Sequence, residues 1–214
     1  GVNLHDFNPE RRDPAFWREW NIGERFTFLY VGRVSREKNL EVMLEAFRML
    51  LDEGADADMA VVGDGPFAGE LRRRYRDPRI VFTGTLTGDR LSAAYASADA
   101  FVFPSRTDTF GNAVLEAHAS GLPAIVSDCG GPQEIVGSHN SGIIIDTHTP
   151  EPLAQSMRTL LRDRELYETL RSGALARARD SRWETALALL MEREAESPAE
   201  PQRSRPHPSC AKFG

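Results

Sequence analysis

Two carboxylates and an amide surround the predicted start of a helix near the middle of the chain. Asp108 precedes this helix, and Asn112 and Glu116 lie one turn apart on it. We expect Thr109 to cap a helix over 110–120, which leaves its first amide groups free to bind an anion. Carboxylates beside an anion are unfavourable unless they bind hydroxyl groups, for which those of a sugar are the obvious source. The alternative is that Asp108 only caps the helix and Glu116 is a surface residue.

The same helix is predicted to bury one side and expose the other. On a helical wheel the buried stripe consists of Phe110, Ala113, Val114 and Ala117. Asn112 and Glu116 lie beside this stripe, so both are expected to face the anion site rather than the core.

Two cations follow the first predicted strand, in the segment Gly32-Arg-Val-Ser-Arg-Glu-Lys-Asn39. Arg33 offers a planar fork and Lys38 a compact point charge, a combination that suits two linked phosphates. Asn39 is expected to cap the next helix. The alternative is a solvated loop whose charges cancel against Glu37 and Glu41.

Composition narrows the class of protein. The chain carries 24 Arg but two Lys, Lys38 and Lys212, so either arginine bias left Lys38 by chance or its position needs an ammonium group. A net charge of −6 argues against a nucleic-acid binder. Two cysteines, Cys129 and Cys210, are too few for a disulfide scaffold or a cysteine metal site. We therefore expect a soluble protein in a reduced, cytoplasmic setting.

Short apolar strands alternate with amphipathic helices along most of the chain. This pattern predicts an α/β fold, with a doubly wound, six-stranded parallel sheet of the Rossmann-like type. The predicted strands are 26–31, 59–62, 79–82, 100–103, 123–127 and 142–145. In such sheets ligands bind at the carboxyl ends of the strands, where the residues described above lie.

The ends of the chain are expected to differ from its centre. Residues 1–14 are polar and proline-containing and are predicted to be an inter-domain linker. Residues 15–194 form the predicted domain, with a helical pattern over 150–194. Residues 195–214 lack periodicity and are predicted to be a disordered tail.

Two further charged segments are assigned structural roles. Asp56-Ala-Asp58 precedes a strand, so it is expected to be a solvated loop rather than a metal site. The arginines of 72–76, with Arg79, are expected to be an exposed helix face. Contact with anionic lipid is the alternative, which would place the protein at the inner face of a membrane.

These segments, taken in order, resemble the C-terminal, donor-binding half of retaining glycosyltransferases of family 4, which have the GT-B fold. The resemblance covers roughly residues 1–194, including Arg182-Trp183-Glu184, which is similar to the family's closing segment. Its matching segments are Gly32-Arg33…Lys38-Asn39, Val62-Gly-Asp-Gly-Pro66, Val81-Phe-Thr-Gly84, Pro104-Ser105, Asp108-Thr-Phe-Gly111…Leu115-Glu116-Ala117, Gly121-Leu-Pro123 and Gly130-Gly131…Glu134.

The resemblance implies a role for each site residue. Arg33 and Lys38 would bind the donor diphosphate, and Glu116 the ribose hydroxyls. Asp108 stands where the family has the first Glu of an E-x7-E pair and would contact the donor sugar, with a side chain one methylene shorter. The remaining implied contacts are backbone amides at Phe110, Gly111 and Asn112, and a base-side loop of Gly63, Asp64, Gly84 and Thr85.

The function implied is transfer of a hexosyl group from a nucleoside diphosphate sugar, with UDP-sugars favoured, to an acceptor with retention of configuration. Two cations and a helix N-terminus can stabilise the leaving diphosphate without a metal or other cofactor. The family's acceptor site lies in an N-terminal domain expected to precede Gly1. The chain alone is therefore expected to bind the nucleotide weakly and to transfer nothing.

Two alternatives remain open. A sugar-nucleotide epimerase of the same architecture would release a free epimerised product, although the Asp108…Glu116 pair argues against it. A standalone nucleotide-binding module would have to cover the apolar side of its own 185–194 helix, which carries Leu187, Leu190 and Met191.

Overall fold

The computed structural model describes residues 1–181 of the chain. Within them, six strands form one parallel sheet: β1 (Phe26–Val31), β2 (Ala57–Val62), β3 (Ile80–Gly84), β4 (Ala100–Phe103), β5 (Ala124–Ser127) and β6 (Gly142–Ile145). The four central strands are predominantly apolar and almost entirely buried, because helices cover both faces of the sheet. The predicted α/β, Rossmann-like fold is confirmed.

The strand order β3-β2-β1-β4-β5-β6 determines where a ligand can bind. The chain builds outward from β1 through β2 to β3, then returns to place β4 against the other side of β1. The loops that leave β1 and β4 therefore diverge, and a crevice opens between them at the carboxyl edge. Both predicted site segments belong to these two loops.

Among the described residues, seven α-helices connect and cover the strands: α1 (Leu40–Asp52), α2 (Ala68–Arg74), α3 (Gly88–Ala96), α4 (Asn112–Ala119), α5 (Gly131–Gly137), α6 (Pro150–Arg162) and α7 (Arg164–Asp180). Helix α1 packs against α6, and α4 packs against α7. Helix α5 was not predicted from the sequence, and α6 and α7 were predicted as one continuous helical region. The two helices are separated at Asp163. Its side chain accepts a hydrogen bond from the amide of Leu166 and so caps the start of α7.

The expectation of a solvated loop is confirmed for Asp56, which is exposed before β2, but was wrong for Asp58. Asp58 lies within β2 and is completely buried, where the Arg25 guanidinium donates to both of its carboxylate oxygens at 2.9 and 3.1 Å. The strand begins two residues earlier than predicted because this ion pair allows a carboxylate inside the sheet. Arg79 was also predicted to be exposed on a helix, but it lies before β3 and donates to the carbonyl of Ala57 at 2.9 Å.

The N-terminal segment packs against the domain. Val2 is buried, and the Arg12 guanidinium donates to the carbonyl of Ala98 and the carboxylate of Asp99. That this segment joins two domains stays a prediction. The predictions made for 182–194, including the closing segment and the apolar helix, and for the tail at 195–214 lie outside the described residues. Within 1–181, no helix combines the length and apolar character needed to cross a bilayer.

Candidate functional site

The site lies where the β1 and β4 loops meet at the carboxyl edge of the sheet. The Lys38 ammonium group donates to the Asp108 carboxylate, with 2.7 Å between Nζ and Oδ2. Lys38 is 19% and Asp108 26% exposed, so the pair is sheltered but open on one side. The structure thus brings together two residues that are 70 positions apart and that the sequence analysis assigned to one ligand.

Arg33 lies in the β1 loop, ahead of Lys38. Its side chain is exposed, and within residues 1–181 its guanidinium has no ion-pair partner. The backbone at this point is fixed, because the buried Tyr30 hydroxyl donates to the Arg33 carbonyl at 3.0 Å. A guanidinium on a fixed backbone, in the same loop as a sheltered ammonium group, suits a doubly charged anion.

Glycines allow the β1 and β2 loops to touch through their backbones. A Cβ on Gly63 would lie 1.9 Å from the carbonyl oxygen of Gly32, and one on Gly65 would lie 2.3 Å from that of Val34. The Gly63-Asp-Gly65 sequence is thus explained by packing of the loop that carries the two cations. No side chain fits at either position.

The predicted base-side residues lie at the same edge, one and two strands further out. The Gly63 amide donates to the carbonyl of Gly84 at 2.8 Å, which joins the β2 and β3 loops. Asp64 and Thr85 are exposed on these loops. Their contact with a base stays a prediction.

A second pair of glycines, Gly130 and Gly131, packs directly against the backbone of the β4 loop. A Cβ on Gly130 would lie 2.1 Å from the carbonyl oxygen of Asp108, and one on Gly131 would lie 2.2 Å from that of Thr109. The Gly131 amide also donates to the Asp108 carbonyl at 3.1 Å. The Asp108 backbone is therefore held by the start of α5, which leaves its side chain aimed at Lys38.

Two predictions for the start of the helix were wrong. Helix α4 begins at Asn112 rather than Phe110, and its N-cap is Gly111 in the left-handed conformation (φ 67°) rather than Thr109. A Cβ on Gly111 would lie 2.8 Å from Ile135 Cδ1, so the tight turn also packs closely. Phe110 was assigned to the buried stripe but is 80% exposed, because it precedes the helix and does not share its periodicity.

Because α4 begins at Asn112, its free amide groups lie further along the chain than predicted. The first helical hydrogen bonds come from Val114 and Leu115, which both donate to the Gly111 carbonyl. Asn112 and Ala113 precede these donors, so their amides have no acceptor within the helix, and such amides at a helix N-terminus suit an anion. Binding through the amides of Phe110, Gly111 and Asn112 stays a prediction.

Glu116 lies on α4 above a buried tyrosine. The Tyr95 hydroxyl, on α3, donates to Glu116 Oε2 at 3.0 Å. Burial raises the pKa of Glu116, while the hydrogen bond from Tyr95 opposes that rise. Glu116 was predicted to be a binding residue, but Tyr95 was not singled out, because a Tyr in an apolar helix resembles an ordinary core residue.

The N-cap position predicted for Asn39 is confirmed, but its side chain makes no capping hydrogen bond to α1. Asn39 occupies the N-cap position in a left-handed conformation (φ 58°), and its side chain instead donates to the carbonyl of Thr147 at 2.7 Å. Thr147 in turn donates to the carbonyl of Pro104 at 3.2 Å. The β6 loop therefore connects the β1 loop, which carries Lys38, to the β4 loop, which carries Asp108.

Comparison with known proteins gives a consistent result. Residues 25–163 match the sequence profile described as "Glycosyl transferases group 1". The chain is 36% identical over 191 residues to a sulfoquinovosyl transferase of Arabidopsis thaliana, covering 87% of this chain and 37% of that protein. It is 34% identical over 193 residues to a GDP-mannose-dependent alpha-(1-6)-phosphatidylinositol dimannoside mannosyltransferase of Mycobacterium tuberculosis, covering 89% of this chain and 49% of that protein.

A solved structure shows the same fold. Sucrose-phosphate synthase from Thermosynechococcus elongatus superimposes with a TM-score of 0.77 at 26% identity, over 91% of this chain and 50% of that one. The chain thus spans half or less of the length of these relatives. The matched profile extends from the residue before β1 to the end of α6 and includes every residue of the site. This chain belongs to the group 1 family of glycosyltransferases.

Proposed function

We propose that this chain binds the nucleoside diphosphate sugar of a glycosyltransferase that moves a hexosyl group to an acceptor with retention of configuration. The observation that carries the proposal is the Lys38–Asp108 contact at the β1–β4 crevice. An ammonium group has three N–H donors, so Lys38 can bind a phosphate oxygen while it still donates to Asp108. The Asp108 carboxylate is then available to accept a hydrogen bond from a hydroxyl of the sugar attached to that phosphate.

The proposed chemistry requires stabilisation of a leaving diphosphate. Charge develops on this group as the glycosyl–phosphate bond breaks, and fixed cations and helix amides lower the barrier where that charge appears. Arg33, Lys38 and the N-terminus of α4 provide such groups at one edge of the sheet. We therefore propose that transfer proceeds without a metal ion.

The base of the donor is the open choice within this proposal. We favour a UDP-sugar; because the mycobacterial relative is a GDP-mannose-dependent enzyme, GDP-mannose is the competing donor. Family membership favours sugar transfer over epimerisation.

Calorimetric titration of the chain with UDP, GDP and ADP tests the binding step. We expect one of the first two to bind and Lys38→Met to abolish most of that binding. Arg36→Met is the matched control, because this substitution removes the same charge from the same loop. The Arg36 guanidinium pairs with Glu70 at 2.7 Å rather than with Asp108. Absence of binding by all three nucleotides would overturn the proposal. In a longer polypeptide containing this chain, the anomeric proton coupling of the product tests retention.

A further inference from the structure

Tyr95 is completely buried, yet its hydroxyl is directed at a carboxylate of the candidate site. Its ring lies edge-to-face against Phe7, with 5.5 Å between centroids, and tilted against Phe101 at 5.7 Å. A Phe would satisfy these contacts equally well. The hydroxyl therefore adds one thing to the fold, the 3.0 Å hydrogen bond to Glu116 Oε2.

Because of this hydrogen bond, the two carboxylate oxygens of Glu116 differ in their surroundings. Oε2 is occupied by Tyr95, and within the described part of the chain Oε1 accepts no hydrogen bond from the protein. An ionised carboxylate has about four lone-pair positions, so a single donor from below leaves acceptors for groups that approach from the crevice. Glu116 has no freedom to rotate without leaving the buried hydroxyl unpaired, which is costly.

We propose that Tyr95 is a positioning residue that holds the Glu116 carboxylate in the orientation that binds the ribose hydroxyls of the donor nucleotide. The inference rests on the proposed function, because it assigns part of the nucleotide site. It deepens that function by naming the ribose as the portion of the donor whose recognition depends on a residue outside the crevice. Tyr95 itself does not touch the nucleotide.

A ratio of affinities separates this role from a general effect on stability. Loss of the hydrogen bond from Tyr95 to Glu116 weakens binding of UDP or GDP. It does not weaken binding of the 2′- or 3′-deoxy form that lacks the hydroxyl from which Glu116 accepts a hydrogen bond. We expect Tyr95→Phe to reduce the preference for the ribonucleotide over the corresponding deoxynucleotide by about fivefold, the effect of one net hydrogen bond. Glu116→Gln should reduce it at least as much, and the double variant no further.

Tyr167→Phe is the matched control. Tyr167 is a partly buried tyrosine whose hydroxyl donates to the Asp99 carbonyl at 3.1 Å, just before β4 begins at the opposite edge of the sheet. Its loss should leave the ribose preference unchanged. A preference that is unchanged in Tyr95→Phe, or that falls equally in Tyr167→Phe, overturns the role of Tyr95. If no ribonucleotide binds the wild-type chain, the proposed function fails, and the inference fails with it.

A measurement on the wild-type chain decides the matter if Tyr95→Phe does not fold. The 13C resonance of the Tyr95 Cζ atom reports the hydrogen bond of its hydroxyl. We expect this resonance to shift when UDP or GDP is added and not when inorganic pyrophosphate is added. Equal shifts with ribonucleotide and deoxynucleotides, or no shift with either, would contradict the proposal.

Discussion

Lys38 and Asp108 form an ion pair across the crevice between the β1 and β4 loops, with 2.7 Å between Nζ and Oδ2. Each residue compensates the other in the absence of ligand, and each has a different portion of the proposed donor to bind. The ammonium group is suited to the diphosphate and the carboxylate to the sugar. Substitutions at the two positions should therefore have different consequences.

Removal of the ammonium group should weaken binding of the nucleotide itself. Lys38→Ala is expected to raise the Kd for the preferred nucleoside diphosphate about 10- to 150-fold, the range for one charge-assisted hydrogen bond. Arg33→Ala should act in the same direction and within the same range. Calorimetry with UDP and GDP measures both effects, and an unchanged Kd in both variants would contradict the diphosphate assignment.

Neutralisation of the Asp108 carboxylate should affect recognition of the sugar but not binding of the nucleotide. In Asp108→Asn the amide still accepts one hydrogen bond, but Lys38 loses its ionic partner and its charge is free for the diphosphate. We expect affinity for the nucleoside diphosphate to be maintained or increased, while the preference among nucleotide sugars falls. Titrations with UDP, UDP-glucose and GDP-mannose provide the comparison. Equal losses for nucleotide and nucleotide sugar would remove Asp108 from the sugar site.

The site could be predicted as far as it depends on the ends of strands. Buried apolar strands identify themselves by composition, and the residues after β1 and β4 must share an edge of a parallel sheet. Lys38 and Asp108, which follow β1 and β4, are therefore predictable neighbours. This reasoning did not extend to Tyr30 and Tyr95, whose hydroxyls support the site from within the core, because apolar periodicity does not indicate where a phenol finds its partner.

The wrong predictions have local physical causes. Asp58 was assigned to a loop because it precedes the apolar run 59–62, and its bidentate partner Arg25 is 33 residues away in sequence. Phe110 was assigned to a helix because its spacing fits the apolar stripe. The left-handed turn at Gly111 interrupts that spacing, and only packing of this turn against α5 makes the interruption necessary.

The contact between Gly63 and the β1 loop predicts a severe effect from a small substitution. In Gly63→Ala the added methyl carbon would lie 1.9 Å from the Gly32 carbonyl oxygen, at a φ of 130° that side chains rarely adopt. The β1 loop must move, so we expect a loss of about 2–3 kcal/mol in the free energy of unfolding together with weaker nucleotide binding.

Gly69→Ala is the control for this substitution. Gly69 lies in α2, where a Cβ would make an ordinary contact of 3.7 Å with Arg73 Nη1, so alanine should be neutral or stabilising by up to about 1 kcal/mol. Urea denaturation measures both variants. Equal stabilities for the two variants would mean that the β1 and β2 loops are not in the close contact described.

His118 predicts how stability depends on pH. Its ring is completely buried on α4, where Nδ1 donates to the Leu122 carbonyl at 3.0 Å and Nε2 lies 2.9 Å from the Ser141 hydroxyl. Burial lowers the pKa of His118 to about 4, and the nearby charges of Arg177 and His139 act in the same direction. The imidazole therefore stays neutral in the folded chain at pH values where it is protonated in the unfolded chain.

The sign of the effect follows from where the proton binds more tightly. The unfolded state takes up the proton as the pH falls below about 6.5, and the folded state does so only near 4, so stability present above pH 6.5 is lost across this interval. Each pH unit corresponds to about 1.4 kcal/mol, which gives a loss of about 2 kcal/mol by pH 5. His118→Gln should be less stable at pH 7.5 but show a flatter decline between pH 6.5 and 5 in urea denaturation. His5→Gln, which removes an exposed imidazole, is the control, and parallel declines in wild type and His118→Gln would show that the buried ring does not set the slope.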